Sequence, residues 1–312
     1  MEWTLALKNA YYLGMDSQVQ KRDLILGQLA ILGAAFLWST SGLFIKLLDW
    51  HPIVISGSRS FVAAIFLLIV RLFSPPPKDR KNPPAIFWAS SFIFAFTIYT
   101  FITANKMTTA ANVILLQYSA PVWAALLGWL LVKEKPNWEH WAALVLVMGG
   151  LLLFFRGGIG PGATLGNILS IVSGVFLGAH TVTLRMMKDG DPRDAFLFAH
   201  TVTAVLSIPF FILYMPTLKI STVLPLLYMG TLQMGLASIL FAYGIKRTTA
   251  IQAILTAIVD PLFSPVWVFV ITGERPSSSA LLGGVIIITS VITSSVIGIR
   301  RKESTSGAVQ KV

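Results

Sequence analysis

The sequence predicts an all-α integral membrane protein, with ten transmembrane helices arranged as two inverted five-helix repeats. Three observations predict it: an apolar composition, ten spaced apolar runs, and an internal repeat with an odd number of spans. Of 312 residues, 55% are hydrophobic and 12% charged, about half the charged share of a soluble domain. Mean hydropathy is +0.75. A core of this size cannot hide that much apolar surface from water, so lipid is the expected solvent for most of the chain. This excludes a soluble enzyme, a disulfide scaffold and a disordered tail protein. The absence of cysteine removes thiol catalysis, thiolate metal sites and Fe–S clusters.

A spanning helix needs about 20 mostly apolar residues. Ten runs qualify: 27–48, 53–73, 85–104, 110–132, 138–155, 166–187, 195–215, 222–243, 250–271 and 279–299. Segment 74–84, SPPPKDRKNPP, stops both neighbouring helices with its prolines. Residues 1–23 carry Glu2 and Asp16 and lack a continuous apolar stretch, so no cleavable signal is expected. Trp50, Trp88, Trp129, Trp138 and Trp141 lie near span ends, as interface anchors do.

The net charge of +11 does not point to nucleic acid, because the cations sit in short clusters between apolar runs rather than on one solvated face. Of the 24 Lys and Arg residues, 18 fall on one set of connecting segments and span ends: Lys8, Lys21, Arg22, Arg71, Lys78, Arg80, Lys81, Lys133, Lys135, Arg185, Lys188, Arg193, Lys246, Arg247, Arg300, Arg301, Lys302 and Lys311. Lys46, Arg59, Lys106, Arg156, Lys219 and Arg275 make up the other set. This asymmetry predicts cytoplasmic termini at both ends, and it persists across all ten spans.

Residues 104–136 align without a gap on 244–276, an offset of 140. Lys106, Thr108, Thr109, Ala110, Pro121, Glu134 and Pro136 meet Lys246, Thr248, Thr249, Ala250, Pro261, Glu274 and Pro276. Gly27 and Lys46 meet Gly166 and Arg185 at 139, and Pro52 meets Pro192 at 140. Shared apolar composition does not readily produce matched Lys, Thr-Thr, Pro and Glu-x-Pro. The expected division is a segment 1–23, a first repeat 24–156, a second repeat 157–300 and a tail 301–312. Five spans per copy is an odd number, so the second copy must enter the bilayer from the opposite side. Such inverted pairs place a substrate site near mid-bilayer between the halves.

The stretches APVWAALLGWLLVKEKPNWEHWAALVLVMGGLLL (120–153) and DPLFSPVWVFVITGERPSSSALLGGVIIITSVI (260–292) resemble the paired EamA-type repeats of the drug/metabolite transporter superfamily. The shared marks are a mid-helix Pro, a Glu at the helix end and a Gly-containing apolar helix. GER at 273–275 is the closer match; KEK at 133–135 lacks the Gly. Within the superfamily the chain is most similar to bacterial amino-acid exporters of the aromatic amino-acid and metabolite type. The resemblance implies a ten-helix basket in the cell inner membrane that moves amino acids outward, with no cofactor. An exporter of drugs or of other small metabolites such as nucleotide sugars is the alternative. Sugar phosphates would demand several cations facing the cavity, and only Lys46, Arg59 and Arg185 are available.

Pro121 and Pro261 sit mid-span at equivalent positions. Each frees a carbonyl four residues earlier, at Gln117 and Ala257, and that carbonyl must face protein or a wet cavity. A hinge and a static packing kink both fit. Asp260 precedes Pro261 near the middle of span nine. An ionised Asp there costs about 2.5–3.5 kcal/mol and needs a partner, water or a proton. Gln252, Thr256, Asp260, Phe263 and Trp267 share one face of a regular helix. Contact with a substrate ammonium, a coupling proton and a structural pairing are all open to Asp260. His180, on a stripe with Ser170 and Ser173, either relays protons or bonds a neighbouring helix. Gly174 and Gly178 have the spacing of a tight helix contact. Tyr99, Gln117, Tyr118 and Trp123 suit aromatic cavity walls with hydrogen-bonding tips. Lys46 near the outer end either snorkels or attracts a carboxylate. Arg59, about seven residues inside span two, has either a structural partner or a cavity role. The expected substrate contacts are therefore Trp38, Tyr99, Gln117, Tyr118, His180, Gln252, Thr256 and Asp260. No nucleotide loop GxxxxGK[ST], HExxH or GxSxG occurs, so the expectation is neither ATP coupling nor an enzyme, with no catalytic residue and no metal. The expected partners are amino acids or small metabolites and the lipid bilayer, with proton coupling left open.

Overall fold

The computed structural model describes residues 22–41, 44–45, 48–74, 85–108, 110–154, 156, 164–187, 191–263, 267 and 278–309. Lys46, Gly273, Glu274 and the segment 1–21 lie outside them. The described residues are predominantly helical, with no strand among them. In chain order the helices are α1 (22–38), α2 (Pro52–Leu72), α3 (Ala85–Met107), α4 (Ala110–Gln117 and Ala120–Leu127, then a π-helical turn Gly128–Val132), α5 (Trp138–Phe154) and α6 (Thr164–Met186). The second half continues with α7 (Pro192–Tyr214), α8 (Ile220–Tyr228, π-helical Met229–Leu236, Ala237–Ile245), α9 (Ala250–Ala257, resuming over 260–263) and α10 (Ser278–Val309). Six of them are long and apolar enough to cross a bilayer; Trp138–Leu153, Ala250–Phe263 and Leu281–Ser294 are shorter apolar helices.

Two boundaries differ from expectation. The first span, predicted as 27–48, starts a full turn earlier and breaks at Ser39–Thr40, where both hydroxyls bond back to carbonyls three residues earlier and compete with the helix ladder. The last helix runs on past residue 300 into the segment expected as a tail. Large side chains such as Val145, Ile212, Leu213 and Leu282 face outward, the surface a hydrocarbon solvent requires. Trp88, Trp129, Trp138 and Trp141 are exposed at or near helix ends, whereas Trp50 packs on the core.

Packing shows the inversion directly. At one end of α2, Gly57 lies against Ser207 near the far end of α7. At the other end, Arg71 pairs with Asp194 at the start of α7, 2.8 Å apart. The two counterpart helices are therefore antiparallel. So are α5 and α10, where Gly150 late in one meets Gly283 early in the other. Midway along α2 and α7, His200 Nδ1 bonds Ser60 Oγ at 3.2 Å. These two residues are 140 apart and thus equivalent, so the pseudo-two-fold axis passes between them. The copies also interlock. Gly27 of α1 packs on Gly244 and Arg247 at the end of α8, and Gly166 of α6 packs on Met107 and Thr108 at the end of α3. Each copy lends its first helix to the other, which makes the halves one body rather than two bundles. Glycine at these crossings permits the close backbone approach that helix association in lipid depends on.

α4 and α9 break at the same place. Val122 N–H donates to Ser119 O, and Leu262 N–H to Val259 O, at 3.0 and 3.1 Å. These three-residue bonds tighten the chain just ahead of Pro121 and Pro261, which cannot donate to the regular ladder. The Gln117 carbonyl faces Gly174: a Cβ there would stand 2.7 Å from it. The Gly174/Gly178 pair is thus a packing surface for the α4 kink. The π-turn of α4 ends on Lys133 at φ 62, a left-handed conformation. The matching position in the second copy is Gly273. Lysine holds that backbone with about 1–2 kcal/mol of strain that glycine avoids.

Candidate functional site

A cavity of about 280 Å³ lies between the copies. Its wall is built from equivalent positions: Phe101 and Phe241, Phe94 and Met234, Ile114 and Ile254, and Gln117 and Ala257, each pair 140 apart. It therefore straddles the pseudo-axis. The volume sits just below the usual range for ligand pockets and suits one small solute.

Of the expected substrate contacts, the structure brings Trp38, Gln117, Tyr118 and Asp260 to this wall. The Tyr118 hydroxyl and the Asp260 carboxyl are hydrogen-bond partners. Gln117 Nε2 donates to Ser173 Oγ at 2.8 Å, fixing its amide against α6. Trp267, on the stripe with Asp260, lines the wall too and donates its indole N–H to Ser39 Oγ at 2.8 Å.

Tyr99, His180, Gln252 and Thr256 are placed elsewhere. Tyr99 donates its hydroxyl to Thr203 O of α7 at 2.6 Å. His180 is buried, stacked on Phe94 at 4.4 Å and bonded through Nδ1 to Ser90 of α3. Gln252 belongs to the capping box of α9: its amide oxygen accepts from the Thr249 N–H and from the Thr248 hydroxyl. Thr256 is buried and bonds back to Gln252 O. The reason is geometric. A regular helix would carry residues 252, 256 and 260 on one face, but the tight turn at Ile258–Val259 rotates that face. The lining residues step by three instead: Ile254, Ala257, Asp260.

Arg59 was left open by sequence and lies on the wall. It is 2% exposed, and its Nε and Nη1 have no hydrogen-bond partner. Among the described residues no carboxylate pairs with it. Phe94, Phe101 and Asn105 were missed, although their spacing of seven and four marks one face of α3. The signal is masked because apolar residues occur on every side of that helix, with no single apolar stripe to mark one face.

Four helix ends are tied together one turn beyond the lining residues Thr181 and Ile254. Glu134, after α4, pairs with Arg185 at the end of α6, 2.7 Å apart. Arg185 also donates to the carbonyls of Ile245, the last residue of α8, and of Lys246 just after it, and Glu134 accepts from the Ala250 N–H at the start of α9. The partner lies on the other copy, because the interlocked halves bring four helix ends together. These are the Lys- and Arg-rich ends. No His or carboxylate cluster able to hold a metal occurs among the described residues.

The sequence matches the EamA-like transporter family twice, over residues 25–156 and 164–296. The chain belongs to the EamA-like transporter family. Within its reach are the uncharacterized transporter YwfM of Bacillus subtilis, 25% identical over 90% of this chain and 96% of the relative, and an uncharacterized transporter of Archaeoglobus fulgidus, 26% identical over 82% and 92%. A probable terminal-alkyne amino-acid exporter of Streptantibioticus cattleyicolor is 25% identical over 81% and 88%. A solved crystal structure at 19% identity superposes with a TM-score of 0.75, covering 88% of this chain and 99% of that one, and so shares the fold. This EamA chain is thus a membrane transporter of small molecules.

Proposed function

We propose that this chain exports amino acids across the cell inner membrane, favouring hydrophobic and aromatic ones, by alternating access through the shared cavity. Both termini face the cytoplasm in this reading, which the Lys and Arg distribution supports. Division into copies 24–156 and 157–300 belongs to the same proposal. The observation that carries it is the cavity itself: aromatic walls from both inverted copies enclose a half-buried carboxylate and a buried guanidinium. The likeness to a relative described as a probable amino-acid exporter supports the substrate class. Asp260 and the pair Gln117–Tyr118, set at the breaks before Pro261 and Pro121, are the polar contacts, with Trp38 as an aromatic wall. The prolines serve as hinges when the halves exchange conformations. The Glu134–Arg185 tie closes the cytoplasmic end, so loading from inside requires it to part. Nucleotide sugars and sugar phosphates fit less well, since Arg59 is the one cation among the described lining residues and phosphate recognition calls for several. A cationic drug would engage Asp260 and leave Arg59 unanswered.

Counterflow in proteoliposomes tests it. With a panel of labelled amino acids, run with and without a pH gradient, uptake of phenylalanine, tryptophan or leucine above empty vesicles is expected. Flux of none of the panel removes the amino-acid reading and leaves the fold intact.

A further inference from the structure

We infer that the cavity holds its solute by both charges at once: Arg59 takes an α-carboxylate, Asp260 takes an α-ammonium, and the side chain lies against Phe94, Phe101 and Phe241. The inference rests on the amino-acid reading above and adds the polar anchors that define it. Both ionisable groups line one cavity, from opposite copies, Arg59 on α2 and Asp260 on α9. They form no ion pair with each other within 4.0 Å, nor with another residue among those described. Arg59 is 2% exposed and keeps two N–H-bearing atoms, Nε and Nη1, without a partner. A buried guanidinium in that condition carries a large desolvation penalty that only an arriving acceptor offsets. Its planar fork matches a carboxylate bidentately.

The repeat argues against a structural role for either charge. At offset 140 the counterpart of Arg59 is Ala199, and the counterpart of Asp260 is Ala120. Both alanines are buried in equivalent packing, so the framework closes without a charge at either place. Phe94, Phe101 and Ile114 have apolar counterparts on the wall, whereas the alanine counterparts of Arg59 and Asp260 are not among its lining residues. A zwitterion satisfies both and leaves the cavity neutral. A lone cation leaves Arg59 without an acceptor, and a lone anion leaves Asp260 with the Tyr118 hydroxyl alone.

Competition against labelled phenylalanine in proteoliposomes decides the matter. The competitors are phenylalanine itself, phenethylamine, which lacks the carboxylate, and 3-phenylpropionate, which lacks the ammonium. In the parent protein each truncated compound is expected to compete at least about tenfold more weakly, the loss that one hydrogen-bonded charge pair represents. Arg59→Ala places the counterpart residue on α2; it is expected to weaken phenylalanine and to bring phenethylamine level with it. Asp260→Ala does the reverse, bringing 3-phenylpropionate level. Arg59→Lys keeps the charge but loses the fork, and it should retain the parent's ranking at reduced affinity. Equal competition by all three compounds in the parent, or an unchanged ranking in both alanine variants, overturns the inference while phenylalanine flux still upholds the amino-acid reading. Absence of any amino-acid flux in the parent overturns both.

Discussion

Glu134→Ala makes a cysteine placed at Ile254 about ten- to a hundredfold more reactive toward an impermeant maleimide applied at the Lys- and Arg-rich face. Ile254 lines the cavity and is 2% exposed, so in the closed arrangement it labels slowly. The parent chain has no cysteine, which leaves the introduced thiol as the single target. Glu134 and Arg185 meet at 2.7 Å with side chains 21% and 13% exposed, too enclosed for full solvent screening. A hydrogen bond to a charged group at such a site contributes about 1.5–3 kcal/mol, which converts to the stated factor in the population of the opened state. Both partners also hold backbone: Arg185 binds the last carbonyls of α8, and Glu134 binds the first N–H of α9. Removing the carboxylate therefore loosens four helix ends together. An unchanged labelling rate would show that the tie is ornamental and that closure at this end comes from packing alone.

Gly178→Leu prevents the chain from reaching its folded state, whereas Gly149→Leu does not. A Cβ at Gly178 would stand 2.7 Å from Ala120 O, 2.8 Å from Trp123 Cβ and 3.0 Å from Ala124 N. Two of these are backbone atoms of the second segment of α4, set by the turn before Pro121, so nothing there yields cheaply. Overpacking a tight contact costs about 1–3 kcal/mol and occasionally more, and here it would also push apart the α4–α6 contact that shapes the cavity. Gly149 has nothing within 4 Å of an added Cβ and serves as the control on hydrophobicity. Size-exclusion profiles and melting in detergent should separate the two variants clearly. Equal monodispersity would mean that α6 can withdraw from α4, and that the kink is not held by this surface.

The architecture was legible because lipid imposes a simple rule: every span must be long and apolar, and charge must alternate at the ends. The repeat was legible because polar and backbone-restricting residues, Lys, Thr-Thr, Pro and Glu, recur at a fixed offset. The site was half legible. Asp260, Trp38, Gln117 and Tyr118 stand out as polar or amphipathic groups in an apolar run, and they reach the cavity. Gln252 and Thr256 were drawn into the same stripe by assuming an unbroken helix through Pro261; the tight turn ahead of it redirects them. Tyr99 and His180 are equally conspicuous in sequence, yet they bond α7 and α3, and nothing local says which neighbour a buried polar group will find. Arg59 stands out as misplaced but is not explained by sequence, since its place on the cavity wall depends on a space that the other copy completes. Glu134 has the cation Lys135 beside it in sequence, whereas its partner in the fold, Arg185, arrives only through the exchange of first helices between the copies.

The central claim is that one five-helix unit occurs twice in opposite senses around a shared path. The most direct measurement places single cysteines at Asn137 and Ser277, equivalent positions 140 apart, and treats intact cells and inside-out vesicles with an impermeant maleimide. Asn137→Cys should label in inside-out vesicles alone and Ser277→Cys in intact cells alone. Labelling of both from the same side would contradict the inversion and remove the shared cavity as the route for solute.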